Sequence, residues 1–339
     1  MKNRLLQWAT RLIRPFLKTH PQKNRILIVS TTALGDTLWA TPAIENIRNT
    51  FPKAYIAVLT SPIGMQVLKH NPYIDQLYLL KKPFSLWKRL YAEQFDTILL
   101  LHASQRFTLP LISILGATRI IGTKGINKGL DSLLTHPLCN HHLHEIVRRL
   151  EIAETIGAKT TSQTLSFFLK PNEISPLEKK RPLIALHPGS KDPFKRWPKE
   201  KFIELGCNLK AKLSCDIVIT GTKDELKLMK EIQEQIPDAS LYPPNCSLRQ
   251  FASYLTQVDL LISNDTGPVH LASALNRPTI ALYASTNPAQ CGPHHAPNTS
   301  AIFKPPTCTP CAKRKCLQPF CFLQISSNEV FEKAMQKIN

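Results

Sequence analysis

Four short stretches carry residue types and spacings from which a reactive site can be built. In "TTALGD" (31–36) a carboxylate, Asp36, directly follows Gly35 where an apolar run gives way to a helix. Such turns normally offer backbone N–H groups and a positive dipole end to an anion. An acid at that point works against a bound phosphate, and its plainest structural role is to cap the following helix. In "HPGSKDPFKRWP" (187–198) a turn at Gly189 and Ser190 leads into Lys191, Lys195 and Arg196. In "TGTKDE" (220–225) an acid, Glu225, sits just inside a helix. In "NDTGPVH" (264–270) Asp265, Thr266 and Gly267 open a helix, with His270 on its first turns.

The last stretch reads as an anion cradle. Backbone N–H groups of Thr266 and Gly267 would face a phosphate, and the helix dipole would add partial positive charge. Asp265 also suits an N-cap. Lys195 has the mobile point charge that neutralises a diphosphate, or it is a solvated surface lysine. Glu225 can accept hydrogen bonds from ribose hydroxyls, or it complements a helix dipole from the first turn. These groups all fall in the second half of the chain, which therefore reads as the half that holds a nucleoside diphosphate.

The elements that must position these residues alternate. Strands are expected at 25–30, 54–60, 96–102 and 118–122, with helices at 37–50 and 143–157 and an extended segment at 165–170. After a polar, Pro-bearing stretch at 171–182 the pattern restarts. Strand-and-loop segments at 183–190 and 259–267 and strands at 216–221 and 278–285 alternate with helices at 198–212, 223–236, from about 247, and 268–275; a final helix is expected over 326–339. Strand–helix alternation in both halves predicts two parallel-sheet α/β domains. Ligands bind such sheets beyond the carboxyl ends of the strands, where the four stretches lie. The boundaries expected are an N-terminal extension at 1–24, a first domain at 25–170, a linker at 171–182, a second domain at 183–325 and the helix at 326–339.

Composition narrows the classes. The chain of 339 residues is 43% hydrophobic and carries 43 Lys and Arg against 24 Asp and Glu, a net charge of +19. That charge attracts anionic substrates, lipids or nucleic acid. Aromatics are only 7%, no RNA-binding motif is present, and two acids stand in the loops, so nucleic acid fits poorly. No apolar run reaches the roughly 18–20 residues of a membrane span, and no secretory signal is evident. Residues 1–20, "MKNRLLQWATRLIRPFLKTH", place Leu5, Leu6, Trp8, Leu12, Ile13 and Phe16 at helical spacing among basic residues. That pattern suits a helix lying on an anionic membrane, or one packed on the protein itself. A cytoplasmic protein held peripherally at the inner face of the inner membrane is the expectation.

Taken in this order, the motifs resemble glycosyltransferase family 9, the bacterial ADP-heptose:lipopolysaccharide heptosyltransferases, over about residues 25–335. The resemblance implies a GT-B fold, two Rossmann-like domains facing an interdomain cleft, with the donor on the second and the acceptor on the first. It makes Asp36 the catalytic base and places Gly189, Ser190 and Lys195 in the donor-phosphate loop. That loop is one residue longer than in some members, so Lys191 stays open as the phosphate lysine. The resemblance further puts Glu225 on the ribose, and Asp265, Thr266, Gly267 and His270 around the diphosphate and sugar; an adenine-side residue falls near Cys246. The partners implied are ADP-heptose and an anionic Kdo–lipid A acceptor, for which Arg106, Arg119, Lys124 and Lys128 are candidate contacts. The final helix is expected to return to the first domain. The phosphate and ribose residues leave the sugar open, so another nucleotide-activated sugar is the alternative donor. No cofactor is required for such a transfer. Cys308, Cys311, Cys316 and Cys321, spaced C-x2-C-x4-C-x4-C, are candidate ligands of a structural metal, or reduced thiols packing a loop.

Overall fold

The computed structural model describes residues 24–338 together with Thr10 and Thr19, apart from 82, 104, 309–310, 312–315 and 317–319. The basic extension at 1–24 therefore lies almost wholly outside the described residues. Two compact units divide the chain, Met1–Phe168 and Leu169–Asn339.

In the first unit six strands form one parallel sheet: β1 (Arg25–Ser30), β2 (Tyr55–Thr60), β3 (Gln76–Leu79), β4 (Thr97–His102), β5 (Arg119–Thr123) and β6 (His136–Leu138). Their order is β3-β2-β1-β4-β5-β6. The central strands are buried on both faces: Leu27, Ile28, Val29, Ile98 and Leu99 have no exposure. Continuous apolar runs of this kind mark a parallel sheet covered by helices on both sides. The order reverses between β1 and β4, the point where doubly wound folds open a ligand crevice.

The helix expected at 37–50 is two helices, Leu34–Leu38 and Thr41–Thr50. Pro42 stands in the first turn of the second, where its missing N–H is harmless; inside a single helix it would break a hydrogen bond. Segment 165–170 joins no ladder; the Ser166 N–H donates instead to Thr41 Oγ1 at 3.0 Å. Strands β3 and β6 are short edge strands that the sequence pattern did not announce.

The second unit repeats the plan with β7 (Leu183–His187), β8 (Asp216–Ile219), β9 (Ser240–Leu241), β10 (Leu260–Asn264), β11 (Thr279–Tyr283) and β12 (Thr299–Phe303). The order is β12-β11-β10-β7-β8-β9, all parallel. It is the first sheet's order read from the other edge, and its reversal falls between β7 and β10. The expected last strand, 278–285, is followed by one more, β12.

Two expectations need correction here. The polar stretch 171–182 belongs to the second unit and is tied down: Arg249 grips Glu173 through two 2.6 Å bonds, and Lys179 Nζ sits 2.6 and 2.7 Å from the Asp259 carboxylate oxygens. The final helix, Ser327–Ile338, packs within the second unit against the helix Lys199–Lys212, and Val330 and Ala334 enter that unit's core. Among the described residues no helix is long and apolar enough to cross a membrane.

Candidate active site

At the β1/β4 reversal of the first sheet, Asp36 lies in the short helix after β1 and keeps 22% of its side-chain surface exposed. Behind it is a buried charged group that sequence reading missed. Arg149, on the helix Glu145–Glu154, is fully buried. Its Nη2 lies 3.4 Å from Asp36 Oδ1, while Nη1 donates to the Glu145 carboxylate at 2.5 Å and to the Glu145 carbonyl at 2.6 Å. The guanidinium also sits 5.5 Å from the Trp39 ring centroid, a cation–π distance. Arg148, also buried, pairs with Glu145 as well. Burial would raise the Glu145 carboxyl, but Arg149 and then Arg148 outweigh it and hold Glu145 below the ordinary carboxylate range. His102, the last residue of β4, is pushed below its usual value by burial, against the pull of Asp36. No local pattern in "HEIVRRLE" (144–151) marks its paired arginines as buried; the packing of the helix buries both.

Asp36 does not act as a side-chain cap: the helix Leu34–Leu38 has Ala33 at its N-cap, and Asp36 lies inside its first turn. Of the acceptor candidates, Arg106 and Lys124 are exposed and follow the carboxyl ends of β4 and β5, on the same edge as Asp36. Lys128 is exposed in the loop beyond β5, with φ at 54°. Arg119 is different. It opens β5 and pairs with Thr97 at the start of β4, so it lies at the amino edge, the wrong end of a parallel sheet for that role.

In the second unit the loops after β7, β8 and β10 converge at the β7/β10 reversal. Asn264, ending β10, holds both ends of the loop after β7. Its amide nitrogen donates to the Pro188 carbonyl at 2.8 Å, and its carbonyl oxygen accepts from the Trp197 N–H at 3.0 Å. Trp197 is buried against Phe202 and donates to the Ile325 carbonyl at 3.0 Å. These bonds fix the loop that carries Lys195.

Lys195 Nζ lies 2.6 Å from Asp265 Oδ2, and the same oxygen accepts from Thr286 Oγ1 at 2.5 Å. Asp265 is therefore a buried counter-ion and not the N-cap, the structural alternative that its type allowed. That position belongs to Thr266, whose hydroxyl turns back to the Asn264 carbonyl at 3.2 Å. No side chain caps the helix Gly267–Ala274, so its N-terminal N–H dipoles stay available to an anion. His270 is buried on this helix. Lys191 is exposed, and Arg196 spends its guanidinium on the Ser190 carbonyl at 2.9 and 2.6 Å. Ser190 is itself buried.

Glu225 is buried and closes a capping box. One oxygen, Oε2, accepts from both the Thr222 N–H and the Thr222 hydroxyl at 2.9 Å. The carboxyl packs so closely on Gly189 that a Cβ there would lie 2.2–2.4 Å from its atoms. Beside it opens a cavity of about 180 Å³. Its walls include His187, Thr222, Tyr242, Cys246, Phe251 and Pro268, so Cys246 does border the cavity. The volume is below the roughly 300 Å³ of small drug sites, room for one ring system. Tyr242, which sequence reading also missed, lies tilted against Tyr254 and Phe251, with ring centroids 4.5 and 5.5 Å away.

Of the four C-terminal cysteines, Cys321 is buried and Cys308 exposed. Burial pushes the Cys321 thiol up, and Cys311 and Cys316 add a smaller push. Among the described residues no three His, Cys, Asp or Glu side chains converge as a metal-holding group.

Known proteins resemble this chain along most of its length. The profile of glycosyltransferase family 9 (heptosyltransferase) matches residues 83–320. Lipopolysaccharide core heptosyltransferase OpsX of Haemophilus influenzae is 24% identical over 289 residues, 80% of this chain and 82% of that one. The structure of the E. coli ADP-heptose lps heptosyltransferase II superposes with a TM-score of 0.75 at 19% identity, covering 93% and 98% of the two chains. That of E. coli heptosyltransferase WaaC with ADP-2-deoxy-2-fluoro heptose gives 0.72 at 17% identity, covering 92% and 99%. Both share the fold, two parallel six-stranded sheets in a GT-B plan.

Proposed function

The chain belongs to glycosyltransferase family 9, the heptosyltransferases, and from that footing we propose that it transfers heptose from ADP-heptose to the anionic inner core of lipopolysaccharide with inversion. Its second unit holds the donor. The adenine enters the cavity beside Tyr242 and Cys246, and the ribose meets the remaining oxygen of Glu225. The diphosphate lies against Lys195 and the open N-terminus of Gly267–Ala274. The observation that carries this reading is the convergence of Lys195, Asp265, Glu225 and that uncapped helix at one sheet reversal.

Asp36 is the base. As the acceptor oxygen attacks the anomeric carbon, its proton passes to Asp36. The bond from that carbon to the diphosphate oxygen breaks, and ADP departs with the electron pair. Lys195 and the helix dipole stabilise the charge that grows on the leaving group. In the free protein Lys195 is held by Asp265, so the donor takes over a lysine already oriented. No step needs a metal, because Lys195 supplies the countercharge.

Calorimetry with ADP-heptose, ADP-glucose, UDP-GlcNAc and ADP, on wild type and Lys195→Ala, tests the reading. Selective binding of ADP-heptose, weakened roughly 10–100-fold by the mutation, is expected for a lost charged hydrogen bond. Preference for another nucleotide sugar would overturn the donor; binding of none would overturn the function. Residues 1–20 are proposed as the membrane contact, and Arg106 and Lys124 as contacts to the acceptor's anions. A truncation lacking 1–20 should lose binding to anionic vesicles; retained binding would remove that role.

A further inference from the structure

Inside the cavity one polar group is fixed by its own hydrogen bonds. His187, the last residue of β7, is buried with 6% exposure and forms part of the cavity wall. Its Nδ1 is 3.0 Å from Thr220 Oγ1. That hydroxyl owns a single proton, and it also reaches the Leu186 carbonyl at 3.3 Å. A hydroxyl proton directed to that carbonyl leaves the Thr220 oxygen to accept from His187 Nδ1–H. In a neutral imidazole the other nitrogen is then an acceptor. Neutrality is secured by burial, which pushes the ring down to about 4 even though Glu225 pulls it up. Thr220 bonds the ring, Glu225 acts on it electrostatically, and Thr222, whose hydroxyl donates to Glu225, is a neighbouring wall residue of the cavity.

We infer that His187 sets nucleoside specificity, its Nε2 acting as a fixed hydrogen-bond acceptor inside the cavity for an N–H or O–H of the nucleoside half of the donor. The inference rests on the donor reading above and goes further in naming the selecting atom and its polarity. The ligand group it takes is a hydrogen-bond donor, supplied either by the exocyclic amino group of an aminopurine or by a ribose hydroxyl. A keto group at the same point would set two acceptors against each other. The discrimination comes from leaving a desolvated acceptor unpaired, which costs more than the bond itself contributes. Thr220 is the positioning residue, since its hydroxyl selects the tautomer.

The test combines nitrogen NMR of His187 with binding of ADP, inosine diphosphate, 2′-deoxy-ADP and 3′-deoxy-ADP to wild type and His187→Phe, each checked for a cooperative melt. Expected are an unprotonated Nε2 and a protonated Nδ1 in the free wild type. ADP should bind His187→Phe roughly tenfold more weakly. One analogue should be penalised in wild type and lose that penalty in the variant. If that analogue is inosine diphosphate, the base amino group is the partner; if a deoxy analogue, the ribose hydroxyl is. A protonated Nε2, equal ADP affinity in the two proteins, or analogue penalties that all survive the mutation would overturn the inference. Failure of wild type to bind ADP at all would instead defeat the donor reading, and the inference with it.

Discussion

Arg149 reaches Asp36 with one arm, Nη2 to Oδ1 at 3.4 Å, while Glu145 holds the other arm at 2.5 Å. The guanidinium is fully buried and the carboxylate is not. Arg149 is thus an anchor that shares the Glu145 carboxylate with Arg148. At 3.4 Å it can orient Asp36 without a tight ion pair.

Arg149→Met should therefore lower kcat and leave the donor KM nearly unchanged. A loss of about 10²-fold is the scale for misplacing a reacting group by an ångström. Removing one partner of a buried pair also costs about 3–5 kcal/mol of stability, so kcat is read well below the melting temperature. A KM effect with normal kcat would show that Arg149 serves binding instead.

At Gly189 space rather than φ is limiting. A Cβ would stand 2.2–2.4 Å from the Glu225 carboxyl, and Glu225 would have to leave its cap. Gly189→Ala should lower stability by about 0.5–2 kcal/mol, the range for a lost cap, and weaken ADP binding together with it. Denaturant unfolding and calorimetry read the two effects. Unchanged stability would mean that the loop yields freely and that Glu225 is not held by it.

Much of this architecture was legible in the sequence. Leu27–Val29 and Leu260–Ile262 announce buried parallel strands because nothing polar interrupts them. The Gly- and Thr-rich turns that follow place Asp36, Gly189 and Asp265. Edge strands were not legible: Gln76–Leu79 and His136–Leu138 are too short and too mixed for a period to emerge. Nor was the Arg149 group, since arginines in an amphipathic helix normally mark its wet side, and only tertiary packing turns them inward. Lys195 and Asp265 lie 70 positions apart, and no local pattern joins them. Segment 171–182 reads as a linker by composition, yet Glu173 and Lys179 are bonded to partners far along the chain.

Stability should fall on acidification through His187. Its folded value is about 4 against roughly 6.5 in an unfolded chain. Between those values the unfolded chain binds a proton that the folded one refuses. The contribution is complete above about pH 6.5 and is lost as pH falls towards 4, at up to about 1.4 kcal/mol per pH unit. His187→Phe should flatten that limb of the stability–pH curve. A curve of unchanged slope would show that the ring is already protonated or titrates alike in both states.

The cysteine tail is proposed to be separate from catalysis. Metal content should be measured on protein purified without oxygen, and transfer compared before and after chelation. Transfer should be unchanged by chelation, with any bound metal affecting only the melting temperature. Loss of transfer on chelation, restored by added metal, would contradict the metal-free reaction.

The most direct test of the central claim is Asp36→Asn, assayed for sugar transfer and for ADP binding on the same preparation. The substitution keeps shape and removes the proposed base. Transfer should fall by about 10²–10⁴-fold, the usual contribution of a general base, while ADP affinity stays within about twofold of wild type, because the proposed donor contacts all lie in the second unit. Parallel loss of both would make Asp36 a structural residue, and retained transfer would place the base elsewhere.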